Sequence, residues 1–183
     1  MQNIDFDLHS KARVWITDNP SIIYPALDIV TQDIKSGLKC KSAPRKAALE
    51  INIPVGPRSC YGLLGAKFIP NNSGNLSLEI AVSTDSESIF TDALAAQIDT
   101  VRIGLPMEYC QSVIEGIINS LTPENMEILG SGIIVFAQAA HGEISSSNQI
   151  FRNIAATVIL LLLLDNACHQ QQVTEILKTY NLV

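Results

Sequence analysis

Apolar positions change their spacing several times along the chain, and each change marks an element. Leu49, Ile51 and Ile53 alternate with Glu50 and Asn52, which predicts a strand with one buried face. Pro54 to Tyr61 holds two prolines and a glycine and predicts a loop. Leu63 to Ile69 is a second strand, Pro70 to Asn75 a turn, and Leu76, Leu78 and Ile80 a third strand. The turn is short, so the second and third strands are expected to form a hairpin. Met107, Cys110, Val113, Ile114, Ile117, Ile118 and Leu121 then fall on one helical stripe. Pro106 suits a first helical position, Glu108 suits the positive helix start, and Thr122-Pro123 closes the helix. Ile133 to Ala140 is an apolar run broken only by Gln138, as expected of a central strand covered on both faces. Ser146 and Gln149 stand at capping-box spacing before a helix carrying Ile150, Phe151, Ile154, Val158, Leu161 and Leu162. A last short helix spans Gln170 to Tyr180, with Val173, Ile176 and Leu177 inward.

Two stretches read less regularly. In residues 1–46, Arg13 to Ile16 is a short strand and Asp18-Asn19-Pro20 a turn. From Pro25 onward, Leu27, Val30, Ile34 and Leu38 recur at helical spacing, with Gly37 near the end, and predict a helix. Ser42-Ala43-Pro44 reads as a linker. Residues 1–46 are therefore expected to be an extension, a strand plus a helix packed on a main domain of residues 47–183. In residues 83–100, Thr84-Asp85-Ser86-Glu87 is expected to open a short helix through Ala96, and Val101 to Ile103 reads as a strand end or as a packed approach to the next helix. Segregated strands and helices give an α+β fold: a two-layer sandwich, a mainly antiparallel sheet with helices on one face.

Composition supports a globular domain and narrows its chemistry. Of 183 residues, 47% are apolar and only 16% charged, so some apolar surface is expected to meet a partner or a second copy. Residues 1–60 carry eight Lys/Arg against six Asp/Glu, a balance of +2, and residues 61–183 carry four against twelve, a balance of -8, so the negative charge lies in the later part. An acidic body disfavours non-specific phosphate binding. Lys35, Lys39, Lys41, Arg45 and Lys46 form a local exception, readable as a solvated helix end or as an anion or RNA contact. The four cysteines are far apart and lack histidines at ligand spacing, so no metal is expected. The first residues lack the basic-then-apolar order of a signal, and the longest apolar stretch, Ile154 to Leu164, is shorter than the roughly 20 residues a spanning helix needs. A cytoplasmic protein with reduced thiols and no membrane contact is the expectation.

Three ordered motifs carry a family resemblance. Gly56-Pro57-Arg58-Ser59-Cys60-Tyr61-Gly62 is similar to a glycine-rich loop, roughly G-G-R-G-Q-Y-G, with Pro70 ending the next strand. Pro106, Glu108, Tyr109, Val113 and Gly116 fit P-x-E-Y-x-x-x-V-x-x-G at a helix start. His141 to Ser147, running on to Phe151, is similar to H-x-V-D-S-S-x-x-x-F, with the histidine one residue further from the serines and a serine in place of the aspartate. Over residues 47–164 the chain thus resembles domain IV of translation elongation factor G. Pro57 and Ser59 depart from the family's glycines, and residues 83–100 lengthen the link before the helix. The resemblance implies a β-β-β-α-β-α order and a protruding arm whose tip loops meet the ribosomal decoding centre.

The chain has no G-x-x-x-x-G-K-[S/T] loop, so neither nucleotide nor other cofactor is expected. By the resemblance, Arg58, Tyr61, His141 and Glu143 are the tip groups that would touch RNA or a partner. The structural reading of the same loops is that glycine and proline set a turn, Tyr61 packs at a strand start and Ser146 caps a helix. His141, Glu143 and Ser145 could be drawn as an acid–base and nucleophile group, but closeness in sequence is not geometry, so no catalytic residue is assigned. Cys60 reads as an ordinary loop cysteine. The expected function is a non-catalytic interaction module for ribosome or structured RNA. The alternative is a protein–protein assembly module, either a homo-oligomer or a subunit of a larger complex.

Overall fold

A computed structural model describes residues 1–5, 10–35, 37, 39, 42–84, 88–164, 170–180 and 182. The strands are β1 (Gln2–Asp5), β2 (Lys11–Ile16), β3 (Asp28–Lys35), β4 (Arg45–Val55), β5 (Arg58–Pro70), β6 (Asn75–Val82), β7 (Val101–Ile103) and β8 (Gly132–Gly142). The helices are α1 (Met107–Ser120), α2 (Pro123–Leu129), α3 (Asn148–Leu163) and α4 (Gln170–Thr179). All eight strands form one mixed, mainly antiparallel sheet in the order β1-β2-β4-β5-β8-β6-β3, with β7 beside β8 past the end of β6. The fold is therefore α+β, one sheet with four helices packed on it.

The apolar run Ile133 to Ala140 takes the central place expected of it, between β5 and β6. That placement overturns the expected hairpin of the second and third strands. β8 inserts between them, antiparallel to β5 and parallel to β6, with α1 and α2 in the β6-to-β8 crossover. A strand apolar on both sides gains most from an interior position, and the 70–75 turn bridges over its start, where the Asn71 N–H donates to the Ser131 carbonyl at 3.2 Å.

Residues 1–46 supply strands at both ends of the sheet: β1 and β2 beside β4, and β3 beside β6. The helix expected from Pro25 is the strand β3, paired with β6 over eight residues, Asp28 with Val82 through Lys35 with Asn75. Its spacing fits two periods at once, since Val30 and Ile34 are four apart and also lie on one strand face. The β-branched run Ile29-Val30-Thr31 favours the strand, and pairing supplies its backbone hydrogen bonds. In residues 83–100 no helix forms among the described residues. The segment runs through turns, held by a bridge between Ile89 and Arg102.

Two apolar clusters sandwich the sheet. On one face Leu49, Ile51, Leu64, Phe68, Leu78 and Phe136 pack under α1 and α3. On the other, Trp15, Ala48, Tyr61, Leu63 and Ala140 are covered by the chain around Ile22 and by Ala93 and Ala95. The helix layer is tight because Gly116 of α1 faces the backbone of α3. A Cβ there would stand 3.0 Å from the Arg152 carbonyl carbon and closer still to its oxygen. Thr122, expected to close α1, also starts α2: its hydroxyl accepts from the Asn125 N–H, and Pro123 follows at the first helical position. α3 begins one residue later than the capping-box spacing predicts. Ser147 caps it by accepting from the Ile150 N–H, while Ser146 is used elsewhere.

Candidate functional site

The loop expected after β4 is a two-residue turn, with Val55 paired to Arg58 across Gly56-Pro57. Gly56 has φ 62°, and the ring of Pro57 keeps φ negative, the pattern of a type II′ hairpin turn. Glycine at the first turn position is therefore required by the backbone. Arg58 projects from this end, exposed, with no ion pair or hydrogen bond to a described residue.

The connection from β8 to α3 lies beside the turn and is sewn to it. The Tyr61 N–H donates to the Ser145 carbonyl at 3.0 Å, and the Ser146 hydroxyl donates to the Tyr61 carbonyl at 2.8 Å while accepting from the Gly142 N–H at 2.9 Å. A third segment joins them. Asp99, at the end of the 83–100 insertion, accepts at Oδ2 from the Ile144 N–H at 3.2 Å, from the Ser145 N–H at 2.9 Å and from the Ser145 hydroxyl. The Glu143 N–H adds a bond to the Thr100 carbonyl at 3.1 Å. Gly142 is needed where these meet, because a Cβ would run into Asp99 Oδ2 and Ser145 Oγ. Together the three segments frame a cleft of about 380 Å³ lined by Arg58, Ser59, Asp99 and Ser145 and walled by Ile98 and Ile144. Ile144 is 84% exposed and Ile98 61% exposed, so the cation stands among apolar side chains.

The other sequence-predicted groups go elsewhere. Tyr61 is fully buried, so it is not a tip contact. Its position alternates with Gly62 on β5, and that register turns the ring inward onto the face away from α1 and α3. There its hydroxyl donates to Glu50 Oε1 at 3.0 Å. Burial, then the neighbouring Glu50 carboxylate, push the Tyr61 phenol well above its usual range. His141 is also buried, and its Nδ1 meets the Gly104 carbonyl at 3.0 Å. Since a carbonyl only accepts, the proton sits on Nδ1. His141 and Glu143 line a second cleft of about 470 Å³ with Arg102, Glu108 and Tyr109. Glu143 is paired with Arg102 at 2.6 Å. Burial, followed by the Glu108 charge, pushes the Tyr109 phenol up to about 12. Ser145 bonds Asp99 and His141 bonds a backbone carbonyl, so His141, Glu143 and Ser145 are not hydrogen-bonded as an acid–base group.

The basic cluster divides as well. Lys41 lies outside the described residues, Lys39 and Lys46 are exposed, and Lys35 ends β3. Arg45 is structural. Its guanidinium donates to the Leu162, Leu163 and Leu164 carbonyls at 2.9–3.3 Å, closing the C-terminus of α3. Arg45→Ala is expected to lower stability by about 1 kcal/mol, read from the midpoint of urea unfolding. Lys46 stands directly across from Lys67, which sets two exposed positive charges side by side on the same face.

The residues that sequence reasoning missed are Asp99, Ile98 and Glu50. Asp99 sits in an aperiodic stretch with no signal at all. Alternation with Leu49 and Ile51 puts Glu50 on the face away from the helices, where a solvent position is expected, yet it is fully buried. It pairs with Arg13, its neighbour across β2, at 3.3 Å and accepts from the Leu94 N–H at 2.8 Å. Arg13 in turn reaches the Asp92 carbonyl at 2.6 Å. Glu50 thus fastens the 92–94 segment to the sheet, a few residues before Ile98 and Asp99 build the tip cleft.

Among the described residues no His, Cys, Asp and Glu group is placed to hold a metal, and no helix is long and apolar enough to cross a membrane. Compared with family models and with curated proteins, the chain matches none.

Proposed function

We propose that this chain is a non-catalytic binding module built like domain IV of elongation factor G, and that its tip contacts structured RNA, with the ribosome as the natural source. The observation that supports it most is Arg58. It is a cation with no ion pair among the described residues, at the exposed turn of the β4–β5 hairpin, held beside the β8–α3 connection in one cleft. An arginine free of internal partners keeps all its donors for phosphate oxygens or base edges. From β4 onward the order is β-β-β-β-α-α-β-α-α, and the β-β-β-α-β-α order of the resemblance is contained in it once the short β7, α2 and the terminal α4 are set aside, which supports the reading.

The motif glycines have structural reasons of their own, because Gly56 sets the turn and Gly116 lets α3 approach. The acidic body then limits binding to a local contact, in which affinity comes from few phosphates. Arg58→Ala is expected to weaken sedimentation with ribosomes, or retention of a structured RNA on a filter. It should also reduce the slope of log affinity against log salt by about 1. An unchanged slope and unchanged affinity would overturn the RNA reading.

The alternative, assembly with protein, is favoured by apolar side chains left exposed on a different surface, at the β3 edge.

A further inference from the structure

We propose that the cleft around His141 binds a ligand through a cationic N–H group, a guanidinium or a primary ammonium, with His141 Nε2 and the Glu108 carboxylate as its acceptors. Strand register builds the cleft. Ala139 packs on the helix-side core and Ala140 on the opposite one, so alternation puts His141 on the helix side of β8. Arg102 of β7 stands directly across from it. The start of α1 closes the third side, where the Tyr109 ring lies 6.4 Å from the His141 ring. Stacking of Tyr109 on Phe151 fixes that wall in place. At about 470 Å³ the cleft has the size of a small-molecule site.

His141 is the group that points to a ligand. It is 7% exposed. Its Nδ1–H is held by the Gly104 carbonyl at 3.0 Å, which orients the ring and, in the neutral form, leaves Nε2 as an acceptor. Nε2 bonds no described residue. It is not sealed in either, as Ser83 Oγ and Asp99 Oδ1 are, so it opens on the cleft. A buried ring locked in one orientation, with its remaining nitrogen turned to a cleft, is a preset acceptor for a ligand N–H.

The charges around it select the sign of the ligand. Arg102 is neutralised by Glu143 at 2.6 Å. Glu108 has no ion pair among the described residues, and its carboxylate accepts from the Tyr109 phenol. One cation against two carboxylates leaves one negative charge in excess. The positive end of α1 also lies here, equivalent to about half a charge, and does not cancel it. Phosphates and carboxylates are therefore disfavoured, and a neutral donor gains no charge assistance. A guanidinium or ammonium gains both the charge and the hydrogen bonds. The cleft favours the opposite charge from Arg58, so the inference does not rest on the RNA reading. A free amine and a Lys or Arg side chain of a partner protein share this chemistry, and the experiment separates them.

The test is calorimetric titration of the full chain with butylguanidine and with butylamine, beside nitrogen NMR of the histidine rings. Low salt and about pH 8, where an ordinary histidine is neutral, are the conditions. Binding is expected to shift the His141 Nε2 resonance, which a contact elsewhere on the acidic body would not move. Tetramethylammonium carries the charge without N–H groups and should do neither. Glu108→Gln, at an exposed position that leaves folding intact by circular dichroism, should weaken binding at least about tenfold. Arg58→Ala should leave it unchanged. A blocked Gly-Arg-Gly peptide that binds more tightly than butylguanidine assigns the head group to a partner protein, and the reverse order assigns it to a free amine. No binding of either cation, or binding with Nε2 unmoved, overturns the proposal. So does tetramethylammonium binding as tightly, Glu108→Gln binding as the parent does, or inorganic phosphate shifting Nε2 in their place.

Discussion

Gly116→Ala is expected to destabilise the protein, although helix propensity alone predicts the reverse. Alanine in a helix interior is favoured over glycine by about 0.5–1 kcal/mol. Here the added methyl would press on the Arg152 carbonyl, a backbone group of α3 that no rotamer change can move. Forcing a methyl into a packed contact costs about 1–3 kcal/mol. The net expectation is a loss of about 1–2 kcal/mol, with Gly116→Val losing more. Urea unfolding of the two variants, with the slope unchanged and the midpoint lowered, is the measurement. A variant as stable as the parent would mean that α1 and α3 do not approach as closely as described. Gly62 makes a useful contrast. Its added Cβ would meet the Ile154 Cδ1 atom at 2.7 Å, the end of a flexible side chain, so alanine there should be milder.

The same glycine shows what could be read from the chain and what could not. Strong periodic signals fixed element types: the stripe on α1, the run that became β8, and the short C-terminal helix all appear as elements. Pairing was less legible. A turn of a few residues between β5 and β6 suggested neighbours, but the more apolar β8 competed for the interior place and took it. Spacing of four residues in β3 is common to a helix face and a strand face, and only the β-branched residues between could arbitrate. The site was legible at Arg58, because a turn signal sets its exposure. It was not legible at Asp99. Nothing in an aperiodic segment announces that one carboxylate will gather two backbone N–H groups and a hydroxyl from a loop more than forty residues away. For Tyr61 the packing reading of the loop holds and the tip reading does not: strand register turns the ring inward, where it meets Glu50, a residue that alternation places on a solvent face.

Removing Glu50 is expected to have the largest effect of any single substitution outside the helix layer. Glu50→Ala leaves the buried Tyr61 hydroxyl, the Leu94 N–H and the mostly buried Arg13 guanidinium without their shared acceptor. Breaking one side of such a pair costs about 3–5 kcal/mol. Glu50→Gln keeps an acceptor oxygen for Tyr61 and Leu94 and should cost less. The two forms also separate with pH. Burial raises the Glu50 pKa above 4.5, against the lowering effects of Leu94, Arg13 and Tyr61, and Asp92 adds to the rise. A carboxyl held above its unfolded value contributes stability that is fully present below the unfolded pKa and lost as pH climbs through the folded one. The parent should therefore lose stability relative to Glu50→Gln as pH rises from about 4.5 toward neutrality, measured by urea midpoints at each pH. If the parent instead gains on the glutamine variant over that range, the Arg13 pairing outweighs burial and the direction is wrong. The consequence reaches the tip. Glu50 anchors the segment at Leu94, and the same segment carries Ile98 and Asp99 into the cleft around Arg58. Loosening that anchor should expose the backbone of residues 92–99 to hydrogen exchange before the sheet itself opens.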